Sequence, residues 1–315
     1  MITLVAAVCL SVGIMGWRQS DHNLRKVKKL FRKAQNLKRS TSENEKKKAE
    51  REELIVEAHQ AYIDLATSLF ERVAKTIKLL RDKVLVEEKD LIEIEKYMSH
   101  TQRQIDQIRR RVVNGEKIPH EEKVFSIFEE HTEWICKGKA GISQELGLRV
   151  CIVEDQYGFI LFHHVMQKQT DDRVTLHMVR EAKERFSELN CCSFDKGFYS
   201  PGNRRELQET MDFVILPKKG KLSLQDKELE YSDAFVQGRR KHSAVESAIN
   251  ALEDHGLDRC PDHGLDGFER YVALAVLARN IQILGHMIQQ KEKKRQQRFE
   301  KLSRNRRETR FRLAA

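Results

Sequence analysis

Helix breakers are scarce in this chain. It has four prolines in 315 residues, so long stretches keep every amide donor that a helix needs. Its six cysteines (Cys9, Cys136, Cys151, Cys191, Cys192 and Cys260) contain no C-x-x-C pair. That spacing excludes a zinc ribbon and gives no framework for a secreted disulfide protein. Cys151, Cys191 and Cys192 lie in apolar runs, where a free cysteine behaves as a small hydrophobe. A reducing cytoplasm is the setting these cysteines suit. A Walker phosphate loop is missing too: Lys137-Gly138-Lys139-Ala140-Gly141 is a basic glycine loop without the required spacing. Residues 2–17 carry no charge, but no basic segment precedes them and no small-residue cleavage pattern follows. Sixteen residues are also short for a bilayer span. The basic run after them (Arg18, Arg25, Lys26, Lys28, Lys29) is what an anchor would have. The alternative is a buried strand or helix of the core.

What the chain has in quantity is charge. Lys and Arg total 58 against 48 Asp and Glu, a net charge of +10. From Lys291 to Arg312 there are eleven basic and three acidic residues. Such an end is a solvated helix or tail, or an arm that gains affinity for phosphates by releasing counterions. Arg18 to Arg39 reads as a basic helix, and Ser40-Thr41-Ser42 as a break. From Glu43 to about Lys83, apolar residues from Leu54 to Leu80 recur at three- and four-residue steps. A second amphipathic pattern runs from about Glu87 to Val113 and stops at Asn114-Gly115 in the manner of a C-cap. The two predict an antiparallel helical hairpin, structural or self-associating, with no residue of chemical character.

The texture changes at Pro119. Val124–Phe128 is a strand candidate. Leu146–Val153 and Phe159–Met166 are β-rich runs around the tight turn Asp155-Gln156-Tyr157-Gly158. Thr170-Asp171-Asp172 starts a helix to about Leu189. Cys191–Phe194 is apolar throughout, as in a strand buried on both faces. Pro201 starts a helix to about Thr210, and Phe213–Leu216 is a further buried strand. Lys221–Tyr231 reads as a polar loop, Gln237–Leu252 as a helix, and Phe268 to about His286 as another. The predicted class is α/β, a mixed sheet with packed helices compatible with an RNase H-like core. The predicted domains are 1–118 (helical), 119–288 (α/β) and 289–315 (basic helix or tail).

Two carboxylates stand out. Asp195 ends a buried strand just before Gly197, and ligand sites in α/β sheets collect at the C-terminal ends of strands. The bland reading is a turn residue, since Asp before Gly is common in turns. Glu246 shares a helix face with Arg239, His242, Ser243 and Asn250, opposite an apolar face of Val245, Ala248, Ile249 and Leu252. A glutamate on a helix is usually solvated, but this stripe offers groups that contact phosphates and metals instead of lysine–glutamate pairs. Carboxylates from a strand and a helix can hold Mg²⁺ through hard oxygen ligands. Two such ions about 4 Å apart serve phosphoryl transfer by activating a water or 3′-hydroxyl and stabilising the leaving oxygen. Lys218, Lys219, Arg239 and Arg240 would then lie near the phosphodiester backbone.

Residues from about 124 to 286 resemble the catalytic domain of bacterial insertion-sequence DDE transposases. The resemblance rests on Lys137-Gly138-Lys139, on Ser193-Phe194-Asp195-Lys196-Gly197-Phe198 and on Leu216-Pro217-Lys218-Lys219-Gly220. It also rests on Arg240 followed by His242 to Asn250, on Tyr271 to Ala275 and on Ala278-Arg279-Asn280. It implies an RNase H-like fold in a bacterial cytoplasm. It further implies three acidic residues that bind two Mg²⁺ ions to cut and join transposon-end DNA, with Asp195 second and Glu246 third. Lys137, Lys139, Lys218, Lys219, Arg239 and Arg240 are its expected DNA contacts. The first acid, in an Asp-Thr or Asp-x-Thr strand, has no match before Asp195. The expectation is therefore a C-terminal, inactive part of a transposase. Glu129 or Glu130 is the substitute that remains, and the apolar start lies roughly where the first-acid strand belongs. The competing expectation is a helical DNA-binding or scaffolding protein without catalysis. A membrane-anchored coiled coil rests on residues 2–17 alone.

Asp254-His255-Gly256-Leu257-Asp258 recurs as Asp262-His263-Gly264-Leu265-Asp266. With Cys260 between them, the histidines invite a zinc reading. No fourth ligand is evident, and a structured loop with capping aspartates is the preferred reading.

Overall fold

The computed structural model of the chain describes residues 1–39, 44–81, 86–136, 144–242, 244–257 and 259–313, with side chains except at 244–247 and 304–313. The chain divides into two compact units, Met1–Ile127 and Phe128–Ala315.

The first unit is helical. It contains α1 (Ile2–Ser11), α2 (Ser20–Arg39), α3 (Glu45–Arg81) and α4 (Glu88–Ile108). The uncharged start is neither strand nor free anchor. Val5, Val8 and Cys9 of α1 join Trp17, Val73, Ile77 and Leu80, and Ile94 of α4, in one buried cluster. Trp17 is fixed there because its Nε1 donates to Thr76 Oγ1 at 3.1 Å and the Arg72 guanidinium lies 4.7 Å from its ring centroid. A second cluster joins Tyr62, Ile63 and Ala66 to Ile105, with Val27 and Leu30 of α2 against it. Late α3 meets early α4, and early α3 meets late α4, so the pair is the antiparallel hairpin that the apolar spacing predicts. Gly115 takes φ +73° after the last turn, a conformation that favours glycine.

The second unit is α/β with small sheets and long helices. In chain order it holds β1 (Glu133–Cys136), β2 (Gln144–Gly147), β3 (Arg149–Glu154), β4 (Ile160–Met166), α5 (Asp171–Arg185), β5 (Cys191–Ser193), α6 (Pro201–Thr210), β6 (Phe213–Ile215), α7 (Leu224–Glu230), α8 (Asp233–His242), α9 (Ala244–Leu252) and α10 (Gly264–Leu313). Among the described residues the strands form three pairs: β1–β2 and β3–β4 antiparallel, β5–β6 parallel. The single mixed sheet expected from the sequence is not seen there. Asp155 closes the β3–β4 turn by accepting from the amides of Tyr157 (2.8 Å) and Phe159 (2.9 Å), with Gly158 at φ +90°.

Helices cover the strands on both sides. On one side Ile160 and Val165 pack with Leu252, Val272, Ala275 and Val276. On the other, Cys151 and Met166 pack with Val174 and Met178 of α5. α5 also reaches the parallel pair: Val179 and Leu176 pack with Leu207, Met211, Leu216, Cys192 and Val214. One helix therefore roofs both β3–β4 and β5–β6.

Several element boundaries differ from the sequence expectation. Val124–Phe128 is not a strand. Phe128 is 73% exposed, and pairing begins later, at Glu133. Residues 221–231 are not a loop, because Ser223 and Asp226 form a reciprocal capping box that starts α7. α5 stops at Arg185, where Phe186 leaves helical geometry (φ −129°, ψ 82°). The helix expected over Gln237–Leu252 begins earlier, at Asp233, and is α8 followed by α9; Ile249, expected on the packed face, is 45% exposed. The basic end continues α10 as helix. In α10, Val272, Ala275, Val276 and Ile283 are buried, while Leu274, Leu277, Ile281, Leu284 and Ile288 are at least half exposed. By length and composition Gly264–Ser303 is apolar enough to cross a membrane.

Candidate active site

The site is built on the parallel pair. β5 and β6 align Cys191 with Phe213, Cys192 with Val214 and Ser193 with Ile215, and the Phe194 amide extends the ladder to Ile215 O at 2.9 Å. Burial pushes the Cys192 thiol up to about 12, so this cysteine acts as a packing group and not as a nucleophile. Parallel strands deliver their C-terminal ends to one edge. Asp195 leaves β5 there, and Leu216-Pro217-Lys218-Lys219 leaves β6.

Asp195 is exposed. Its Oδ1 accepts from the Lys196 amide at 2.7 Å and caps the turn Lys196–Phe198. That turn is fixed from beneath by buried polar groups. Asn203 Nδ2 donates to Asp172 O (2.6 Å) and Phe198 O (2.9 Å), and Thr175 Oγ1 donates to Asp171 O (2.8 Å). Ser200 Oγ accepts from the Asn203 amide and caps α6. Gly197 has no room for a side chain, since a Cβ there would sit 2.6 Å from Asp171 Oδ2. The aspartate is thus carried by rigid backbone, while its second oxygen has no partner among the described residues.

Lys218 is less free than its sequence suggests. Its Nζ lies 2.5 Å from Asp226 Oδ2, and Arg204 Nη1 lies 2.7 Å from Asp226 Oδ1. Ser223 Oγ also donates to Asp226 Oδ2, at 2.6 Å. Lys218, Ser223 and Arg204, in that order, hold the Asp226 carboxyl well below the usual carboxylate range. In return Asp226 raises the pKa of Lys218 and of Arg204. Lys218 is a fixed cation spent partly on a neighbour, whereas Lys219 is exposed.

Arg239 and Arg240 are exposed in the last turn of α8. α8 lies directly on the strand pair: a Cβ at Gly238 would meet Ile215 Cδ1 at 1.9 Å. This close approach seats α8 on β6. Glu246 belongs to α9, whose Ala248 and Leu252 are buried; its side chain lies outside the described residues. Lys137 and Lys139 lie outside them as well. Asp195 and the two lysines thus follow the C-terminal ends of β5 and β6, whereas the last turn of α8 runs back toward Cys191 at the start of β5, which feels the charge of Lys241.

Asp195 offers Mg²⁺ a hard oxygen ligand of the right kind. Among the described residues no group of three or more His, Cys, Asp or Glu is placed to hold a metal. In residues 254–266 described polar side chains are engaged with other partners. His255 Nε2 is 3.2 Å from Gln282 Oε1, and Asp262 is taken up by the His263 amide (2.9 Å) and Arg270 (3.0 Å). Glu129 is occupied as well, accepting from the Gly264 amide at 3.1 Å at the start of α10.

The structural roles of two positions were missed from the sequence. Asp226 fell in the presumed loop; the Ser-x-x-Asp pattern at Ser223 was the signal for it. Asn280 accepts from the Ile160 amide (2.9 Å) and donates to Ile160 O (3.0 Å), tying α10 to β4 across 120 positions. The sequence carried it only within Ala278-Arg279-Asn280, a motif of the resemblance to which no structural role was attached.

No curated protein and no solved structure matches the chain significantly. A family model described as the transposase DDE domain matches residues 106–281. That span is more than half of the chain. It opens inside α4 and closes inside α10, and takes in Asp195, both lysines after β6, the paired arginines and Glu246. By that match, the chain belongs to the family of transposase DDE domains.

Proposed function

We propose that Asp195 and Glu246 are the second and third acids of a DDE site for Mg²⁺-dependent cleavage and joining of DNA ends. The observation that carries this is the exposed Asp195, held on a stiff turn where β5 ends, at the edge where Lys218 and Lys219 follow the parallel partner strand β6. Asp195 and Glu246 would hold two Mg²⁺ ions; when bound, these supply Lewis-acid polarisation of the phosphate and activation of the attacking water or 3′-hydroxyl. Lys219, Arg239 and Arg240 contact the phosphodiester and orient it. Lys218, fixed by Asp226, adds a positive field at that edge. Lys137 and Lys139 belong to the same DNA surface.

The first acid comes from a further strand in an RNase H-like mixed sheet. Two features support this. α5 roofs both β3–β4 and β5–β6, yet no ladder joins the pairs among the described residues. Ser193 Oγ on β5 is buried without a hydrogen-bond partner, a situation that native interiors rarely leave unresolved. One strand between the pairs would supply both continuity and the acid. The chain alone is then an incomplete enzyme with the domains 1–118, 119–288 and 289–315. Exposed Leu54 and Val56 on α3 and Ile92 on α4 support self-association through the helical hairpin.

The test is cleavage of transposon-end DNA. The chain alone should leave the DNA intact in Mg²⁺. Co-expression with a polypeptide bearing an Asp-Thr strand should restore cleavage, and Asp195→Ala or Glu246→Ala should abolish it. Mg²⁺-dependent cleavage by the chain alone that disappears in Asp195→Ala would sink the claim of incompleteness. Restored cleavage that survives Asp195→Ala would sink the site itself. DNA binding without cleavage in every combination would favour the non-catalytic reading.

A further inference from the structure

The helical unit carries a second surface that the catalytic reading does not use. On α2, Arg25, Lys28, Lys29, Arg32 and Lys33 follow the i, i+3, i+4, i+7, i+8 spacing that puts residues on one helix face. A surface helix ordinarily keeps that pattern for its apolar stripe. Here a separate stripe does the packing: Val27 and Leu30 lie against the cluster of Tyr62, Ile63, Ala66 and Ile105, and Ala34 is buried. The cationic stripe faces a groove between α2 and α3. Lys47 and Arg51, one turn apart on α3, line its other wall. The groove has a volume of about 960 Å³ and is completed by Asn36 and Leu37. Among the described residues no carboxylate lines it.

Seven cations around one concavity repel one another, and their field is relieved by anions drawn from solution. Among the described residues Lys28, Lys29, Arg32, Lys33 and Lys47 have no ion-pair partner. The Arg25 guanidinium donates to the Asp21 carbonyl at 3.3 Å, which leaves its charge uncompensated. We propose that this groove is a DNA-backbone site. It holds duplex phosphates against the helical unit and lies outside the span 106–281 that the family model matches. Choosing DNA as the polyanion rests on the function proposed above. The lining supplies point charges in a row and few groups suited to base edges, so the contact positions DNA without reading its sequence. From Arg25 to Lys33 the helix rises about 12 Å. A duplex carries one charge per about 1.7 Å of its axis, so several phosphates fall within reach.

The test is anisotropy with a labelled duplex of arbitrary sequence, titrated with the full chain in EDTA over a salt series. A groove that neutralises about four phosphates weakens binding roughly a hundredfold between about 50 and 200 mM salt. The variant Lys28→Gln, Lys29→Gln, Arg32→Gln, Lys33→Gln changes only exposed side chains; circular dichroism should match the parent. It should bind at least tenfold more weakly, with the logarithmic salt slope reduced by about 3. The control Lys293→Gln, Lys294→Gln, Arg295→Gln, Arg298→Gln removes equal charge from α10. The proposal stands if the groove variant loses at least tenfold and more than the control. It is overturned if the groove variant stays within twofold of the parent, or if both variants lose equally and net charge alone explains the effect. Tighter binding to phosphatidylserine vesicles than to DNA, lost in the groove variant, would overturn it in favour of a membrane surface. EDTA removes metal from the assay, so failure to cleave DNA leaves this result untouched, and an unaffected groove variant leaves the catalytic reading untouched.

Discussion

Individual polar side chains hold together pieces that are distant in sequence. Asn280 satisfies both backbone groups of Ile160, a residue 4% exposed. Asn280→Ala strands a buried donor and a buried acceptor, and should cost about 2–3 kcal/mol, read as a lower urea midpoint with unchanged m. Asn280→Asp keeps the acceptor and loses the donor, so its loss should be of similar sign with the Ile160 carbonyl now facing a carboxylate. Asp226 makes a pH-dependent case. Lys218, Ser223 and Arg204 lower its folded pKa, so its contribution is fully present above the unfolded value of about 3.9. The contribution is lost as pH falls through the lower folded value. Asp226→Asn should therefore destabilise the chain at neutral pH, with a deficit that narrows below about pH 4. A deficit that is constant from neutral to strongly acid pH would remove the ion cluster from the account.

At the scale of elements, what the sequence reveals depends on whether a pattern is local. α3 and α4 were legible because their apolar residues repeat at the helical period, β4 because it is a β-rich apolar run, and α6 because Pro201 marks its first turn. Asp195 drew notice because a short apolar strand runs into Asp-x-Gly, a pattern that ordinary turns share, and capping the turn after β5 is what its carboxylate does in the fold. α7 was not, since its apolar content is low and a four-residue capping box is all that starts it. Lys218 looked like a free phosphate contact because its partner lies in that same overlooked helix. The contact of α8 on β6 was also hidden, as Gly238 in a helix reads as a weakness and not as the space for Ile215. Gly238→Ala should gain about 1 kcal/mol of helix propensity and lose about 1–3 kcal/mol to overpacking against Ile215. The net effect should be destabilising. Ile215→Val removes the methyl in the way and alone should cost about 1 kcal/mol. The double variant should be more stable than the two single losses added together, with a coupling of about 1 kcal/mol or more. Strict additivity by urea denaturation would mean that α8 does not sit on β6 as described.

For the whole molecule, a pattern-based reading found the α/β class and the transposase family, but not how the strands assemble. Strand pairing is a long-range property, and β5 and β6 are three residues each, too short to announce their neighbours. The same limit applies to α10, where the sequence separates an apolar helix from a charged tail and the fold joins them. Among the residues whose side chains are described, which end at Ser303, the last buried position is Ile283, so residues 291–303 have no core beneath them. A segment of about 20 residues without tertiary packing is only marginally helical in water. Removing residues 291–315 should therefore leave the urea midpoint almost unchanged while taking away the eight net positive charges between Lys291 and Arg312. Amide exchange should agree, with little protection after Lys291 and strong protection at Val272, Ala275 and Val276, where opening requires breaking the β3–β4 packing. If the truncation unfolds the second unit, or if amides past Lys291 exchange as slowly as those near Val276, the terminal helix is packed against something and is not an exposed basic arm. If stability holds while DNA affinity and its salt slope both fall, the segment acts through charge alone.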